Sequence, residues 1–190
     1  MTPPFIAVAN HSSHLDAPLV MGALPRRFAR YLATGAAADY FFHKWWLKLF
    51  TTLFFNAFPV ERSETSSRRG VASGLLKVRV PILLFPEGSR ASGRQVTEFQ
   101  PGAAALSINL RIPCVPVALV DADLAMPRGS RWPVRGRQPV TVVFGAPMHP
   151  RAGESAAAFA GRLKDTVRAL FDSASQSHQQ DDAWPDGLSA

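Results

Sequence analysis

One cysteine in 190 residues rules out an internal disulfide, so a reducing compartment is allowed. Cys114 stands inside the apolar stretch Ile112-Pro113-Cys114-Val115-Pro116-Val117 and reads as a buried, inert thiol rather than a nucleophile. Although 47% of the residues are hydrophobic, no uninterrupted apolar run reaches transmembrane length, and no spanning helix is expected. The opening residues carry no basic head ahead of their apolar stretch, so no signal peptide is expected either. Acids are also scarce, 14 against 21 Lys and Arg, for a formal charge of +7. The shortage is sharpest between Arg26 and Arg94, where twelve basic residues face four acids (Asp39, Glu61, Glu64 and Glu87). The acids gather late, at Asp181, Asp182 and Asp186. A basic body implies anionic partners: nucleic acid, an anionic membrane surface, or a phosphate-bearing substrate.

What is present is an alternation of strand-like and helix-like stretches in a chain that fits one domain with a real core. A strand-like run over residues 5–9 leads to a short helix from Asp16, broken near Pro25, which Ser12 or Ser13 is placed to cap. A β-like stretch follows over 28–33. Residues 63–69 read as a loop or the start of a helix, and 71–78 as weakly helical. The continuous apolar run Val80-Pro81-Ile82-Leu83-Leu84-Phe85 is expected to be a strand buried on both faces of a parallel sheet. An Ala-rich helix (102–110) and strands at 114–120 and 140–144 come next. An amphipathic helix over 155–171 has Phe159, Leu163, Val167 and Phe171 among its inward residues. This pattern predicts an α/β domain over 1–172, a mixed, mostly parallel sheet flanked by helices. The composition of 173–190 predicts a disordered polar tail.

The most aromatic segment, 39–58, runs apolar nearly all round, with Lys44 and Lys48 beside Trp45 and Trp46. Two readings stand together: a core helix whose lysines reach solvent, and an interfacial helix with Trp at the headgroup level and Lys on lipid phosphate.

Two polar clusters each follow an apolar strand and look like two walls of one site. Asn10-His11-Ser12-Ser13-His14-Leu15-Asp16 supplies an imidazole and a carboxylate close enough for Asp16 to fix the ring's tautomer and leave the other nitrogen of His11 as a base. Phe85-Pro86-Glu87-Gly88-Ser89-Arg90 supplies a guanidinium beside a glycine, which suits a phosphate or another oxyanion. Two imidazoles and one carboxylate, with no other Cys/His cluster, make a poor metal scaffold, so His14 is read as a local neighbour and no metal is expected.

In this order and spacing the two clusters resemble the glycerolipid acyltransferases, the 1-acylglycerol-3-phosphate and related lysophospholipid acyltransferases. Phe58-Pro59-Val60-Glu61-Arg62 is similar to that family's second motif, and Val115-Pro116-Val117 to its fourth. Phe99-Gln100-Pro101-Gly102 resembles a recurring Phe-Lys-x-Gly, with Gln100 where Lys is usual. The likeness runs from Phe5 to about Phe171 and implies a glycerolipid acyltransferase-like fold.

The resemblance implies that His11 is the general base and Asp16 its orienting partner. Arg62 and Arg90 would hold substrate phosphate, and Glu87 would orient Arg90 or the acceptor hydroxyls. Gly88 would let backbone amides approach the ligand, and Ser89 would donate to phosphate without acting as a nucleophile, so transfer is direct. The implied reaction moves a fatty acyl group from acyl-CoA or acyl-carrier protein to a lysophospholipid hydroxyl, foremost that of 1-acylglycerol-3-phosphate, in phospholipid biosynthesis. No cofactor is implied. The expected setting is peripheral, on the cytoplasmic face of an anionic membrane. The rivals are the same chemistry on glycerol-3-phosphate, a glycolipid or an amine, and a nonenzymatic basic lipid binder. Nucleic acid is not an expected partner, because the aromatics cluster in an apolar segment rather than alternating with Lys and Arg on a strand platform.

Overall fold

Alternation along short apolar strands decides this architecture, because successive side chains point to opposite faces of a sheet and both faces here are apolar. The computed structural model describes residues 4–37, 57–60, 65–90, 95–130, 132–136 and 138–182. In chain order these form β1 (Ile6–Ala9), α1 (Asp16–Ala23), α2 (Arg26–Ala29), β2 (Ala33–Ala37), β3 (Ala57–Val60), α3 (Thr65–Lys77), β4 (Ile82–Leu84), α4 (Gly102–Leu110), β5 (Cys114–Val120), α5 (Ala122–Ala125), β6 (Thr141–Phe144) and α6 (Ala156–Asp182).

Six strands lie in the order β3-β2-β4-β1-β5-β6. All neighbours are parallel except β5 and β6, which run antiparallel. The expected mixed, mostly parallel sheet is therefore present. Ile6, Val8, Ile82, Cys114, Ala118 and Val120 face one side, where they pack with Leu76 of α3, Ala104 of α4, and Phe159, Leu163 and Val167 of α6. Ala7, Ala9, Leu83, Val117 and Leu119 face the other side, against Val20 of α1. Cys114 is fully buried, and burial pushes its thiol up to about 12, as an inert core residue requires.

Pro116 stands just before the Val117-to-Val120 stretch that pairs with β6, where the ladder tolerates a missing N–H. Its carbonyl accepts the Gly145 N–H at 2.8 Å. A Cβ at position 145 would meet Pro116 Cγ at 2.8 Å and Leu170 Cδ1 at 3.0 Å, so a glycine ends β6.

Several local expectations shift. The β-like stretch over 28–33 is helical at its start, because Pro25 opens a turn whose carbonyl accepts the Phe28 and Ala29 N–H groups, and β2 begins only at Ala33. Of the two readings of residues 63–69, the start of a helix is the one present, since α3 begins at Thr65. Composition predicts disorder after residue 172, yet α6 continues to Asp182. Once a long helix is nucleated and docked, each further residue adds a backbone bond at little cost, and Ala174 still packs on the core. Arg62 and the aromatic and lysine cluster at 44–48 lie outside the described residues, as do 183–190. Among the described residues no helix is long and apolar enough to cross a membrane.

The Arg26, Arg27 and Arg30 cluster sits at the end of the molecule where the parallel strands begin. Phe28 packs edge-on against Phe5 at 5.8 Å, immediately before β1. The cations of Arg27 and Arg30 lie over the rings of Phe28 and Tyr31, at 4.9 and 4.6 Å. His11 lies beyond the opposite end of β1.

Candidate active site

Parallel strands in register bring their C-terminal ends to one edge, and β1 and β4 are neighbours, with Val8 opposite Leu84. Each chain leaves its strand a residue or two later, which sets the His11 and Glu87 clusters side by side as the sequence predicts. Asn10 fixes the exit of β1. Its side-chain Nδ2 donates to the Leu119 carbonyl at 3.0 Å and its Oδ1 accepts the Leu119 N–H at 2.8 Å, clamping it to β5.

Asp16 is 0% exposed and opens α1. Its Oδ2 accepts three hydrogen bonds, from the Ser12 N–H at 2.7 Å, the Ser13 N–H at 2.9 Å and His11 Nδ1 at 2.7 Å. The oxygen that takes the two backbone N–H groups is an acceptor toward the ring as well, so His11 presents its Nδ1–H to Asp16 and keeps the Nε2 lone pair free. The expected serine cap does not form. Leu15 is the N-cap, without a side-chain cap bond. Instead the Ser13 hydroxyl donates to the Met126 carbonyl at 2.9 Å and accepts the Leu15 N–H at 3.3 Å, tying the turn to the segment after α5.

The ring of His11 is held on its face as well as its edge. Phe85 stacks on it with centroids 4.3 Å apart and planes 23° from parallel. Of the two roles the resemblance implies for Glu87, orienting Arg90 or the acceptor hydroxyls, the pairing with Arg90 is not present among the described residues. Glu87 Oε1 accepts the His11 backbone N–H at 3.2 Å and its Oε2 accepts the Thr97 hydroxyl at 2.6 Å. Among the described residues it makes no ion pair with Arg90, so it braces the His11 turn. Burial raises its pKa, while the bonds from Thr97 and His11 pull it back toward the charged form.

Gly88 has a φ of +73°, a conformation that favours glycine, and its N–H donates to the Phe85 carbonyl at 3.2 Å. It shapes the turn, and its own N–H is used there. Ser89 follows as an exposed residue, and Arg90 is half-buried. Burial, then the positive charge of Arg90 and the proximity of His11, hold His14 below the ordinary histidine range. Arg90 thus projects its charge into the histidine cluster, where an anion would be attracted.

Sequence reasoning missed Thr97 as a part of this site and gave no role to Asn10, which it placed in the first polar cluster. Thr97 carries a testable consequence: Thr97→Val removes a donor to the charged form of Glu87, so the Glu87 pKa should rise further. The acid limb of the rate profile should then move to higher pH, with the plateau lowered severalfold; an unchanged profile would leave Glu87 outside the working site.

Beside the pair, and lined by neither His11 nor Glu87, is an apolar groove of about 350 Å³ between Leu15, Leu19 of α1, Ala125 of α5, and Pro133, Val134 and Val140.

The fold and site define an α/β protein with a His–Asp pair at the C-terminal edge of its parallel strands. The family model described as Acyltransferase matches residues 2–120, and the chain belongs to that family. It is similar to the 1-acyl-sn-glycerol-3-phosphate acyltransferase of Cocos nucifera, 29% identical over 150 residues, covering 75% of this chain and 45% of the relative. The 1-acyl-sn-glycerol-3-phosphate acyltransferase alpha of Bos taurus is 26% identical over 176 residues, covering 88% and 58%. The chain thus spans about half the length of the curated relatives it matches. The crystal structure of the 1-acyl-sn-glycerophosphate (LPA) acyltransferase PlsC from Thermotoga maritima shares the fold, with a TM-score of 0.76 and 22% identity over 92% of this chain and 68% of that one.

Proposed function

We propose that this protein transfers a fatty acyl group from a thioester donor, acyl-CoA or acyl-carrier protein, to the hydroxyl of a lysophospholipid, foremost 1-acylglycerol-3-phosphate. The observation that carries this reading is the buried Asp16 carboxylate 2.7 Å from His11 Nδ1, on the same edge as Arg90. Oriented in this way, Nε2 takes the proton of the acceptor hydroxyl as its oxygen attacks the thioester carbonyl. The carbon–sulfur bond then breaks, the acyl group stays on the acceptor oxygen, and the proton can pass to the leaving thiolate. The imidazolium formed in between is stabilised by Asp16.

Arg90 supplies a permanent cation for the acceptor phosphate. The family's second motif assigns the same part to Arg62. The reaction is placed peripherally at the cytoplasmic face of a membrane, a setting supported by the lipid acceptor and by the formal charge of +7.

The test is donor consumption, followed as free thiol, over a panel of lysophospholipid, glycerol-3-phosphate and phosphate-free acceptors. Arg90→Ala should raise KM for the phosphate-bearing acceptor by roughly 10–100-fold, the equivalent of one lost charged hydrogen bond, and leave the donor KM near its starting value. An equal loss on a phosphate-free acceptor would contradict the assignment, and no thiol release with any acceptor would sink the enzyme reading.

A further inference from the structure

Residues 95–100 form neither helix nor strand, yet Val96 and Phe99 are buried in the core to which α6 contributes Phe159, Leu163 and Val167. An irregular strap has no ladder of main-chain bonds to fix it, so its polar groups must find side chains or neighbouring turns. Here they find both. Arg168 of α6 donates from Nη2 to the Val96 carbonyl at 2.7 Å, and Lys164 of α6 donates from Nζ to Glu98 Oε1 at 2.8 Å. Toward the site, the Thr97 hydroxyl donates to Glu87 Oε2 at 2.6 Å and the Gln100 N–H donates to the Pro86 carbonyl at 2.8 Å. The strap thus joins α6 to the turn whose Glu87 holds the His11 N–H.

The link through Arg168 reaches that turn by way of a single peptide plane. The Val96 carbonyl and the Thr97 N–H belong to one planar unit, in which they point in opposite directions. Arg168 holds the carbonyl, while the N–H on the far side and the Thr97 hydroxyl both favour the charged form of Glu87. A cation on the carbonyl fixes the tilt of the plane, and it polarises the unit so that the N–H becomes a stronger donor. The neighbouring pair acts differently. Glu98 has a side chain that is 83% exposed, and its bond to Lys164 leaves the peptide plane alone.

We propose that Arg168 is a positioning residue for His11, aiming the donors of Thr97 at Glu87 through the Val96–Thr97 peptide so that Glu87 keeps its hold on the His11 main chain. The inference rests on the acyltransferase reading, which makes His11 the base. Arg168 acts from the surface of α6, through the strap, and takes no part in the proton transfer itself.

Arg168 is exposed and alanine suits a helix, so Arg168→Ala should leave the unfolding transition near that of the parent. Its kcat should fall about 3–30-fold, the range of a coupling passed along a chain of contacts, with donor and acceptor KM nearly unchanged. NMR titration of the Glu87 carboxyl should show its pKa raised, as in Thr97→Val, because donors to the charged form have been withdrawn. The His11 ring, the titratable neighbour of Glu87 across the turn, is followed in the same titration, so that a change in its ionisation is told apart from a lost donor. Arg168→Lys, which returns a cationic donor to the carbonyl, should recover most of the rate and of the Glu87 pKa. Glu98→Gln breaks the neighbouring pair and should change neither. Adding Arg168→Ala to Thr97→Val should lower the rate by a smaller factor than it does in the parent, since the two act on one carboxylate. An unmoved Glu87 pKa, losses of rate that multiply independently, or a rate loss that only follows a lowered unfolding temperature would overturn the proposal. If the parent turns over no acceptor while Arg168→Ala still raises the Glu87 pKa, the brace stands and the acyltransferase reading falls.

Discussion

His11→Ala is expected to lower kcat by about 10²–10⁴-fold, the usual worth of a positioned general base, with little change in the unfolding transition. The imidazole is partly exposed and its contacts are to groups with other support. Phe85 loses a stacking partner, but Glu87 still accepts the backbone N–H at position 11, and Asp16 keeps its bonds from Ser12 and Ser13. Donor and acceptor KM should move far less than kcat, because the lost interaction belongs to the transition state. Single-turnover measurement of thiol release on a variant of confirmed fold decides the matter. Near-normal turnover would mean that the His11–Asp16 pair is structural.

Asp16 should behave differently in its two substitutions. Asp16→Ala deletes the acceptor of two buried backbone N–H groups and one imidazole N–H. At about 1–3 kcal/mol for each buried group left unpaired, it should threaten the fold as well as the reaction. Asp16→Asn keeps an oxygen for those donors and sets an amide at the site of Oδ1, which has no hydrogen-bond partner among the described residues. The chain should therefore fold at some cost in stability. The charge that stabilises the imidazolium is gone, however, and a turned amide would force the other ring tautomer. A large fall in kcat with a retained unfolding transition is the expected result for the amide, and a fall in both for alanine. Equal stability in the two variants would show that the three-way acceptor does not hold the turn.

The parts of the site visible in the sequence were those held together locally. His11 and Asp16 are five positions apart, and both strands that end in the site are continuous apolar runs bounded by polar turns. Glu87 is visible as a residue but its partners are not, because they are a backbone N–H 76 positions away and a threonine in an irregular segment. Neither leaves a periodic signal. The role of Asn10 was hidden for the same reason, since a side chain that bonds to backbone is indifferent to which residue carries that backbone. The far end of α6 was lost to composition, because Ser, Gln and His suit a solvated helix face as well as a disordered tail. The left-handed conformation at Gly88 was legible as a glycine but not as a turn whose N–H is already spent.

The clamp of Asn10 on Leu119 also bears on how the protein folds. The two residues are 109 positions apart, and the bonds between them add a rung to the β1–β5 ladder after the main chain of β1 has begun to turn away. His11 is therefore set in place only when two sequence-distant strands have met, so its geometry depends on a pairing of 109 positions' separation. Contacts of this kind lose loop-closure entropy before they return any stability, and they slow folding. During synthesis the histidine would emerge early and remain without its final setting until β5 had been made, so competence should appear late and together with the complete sheet.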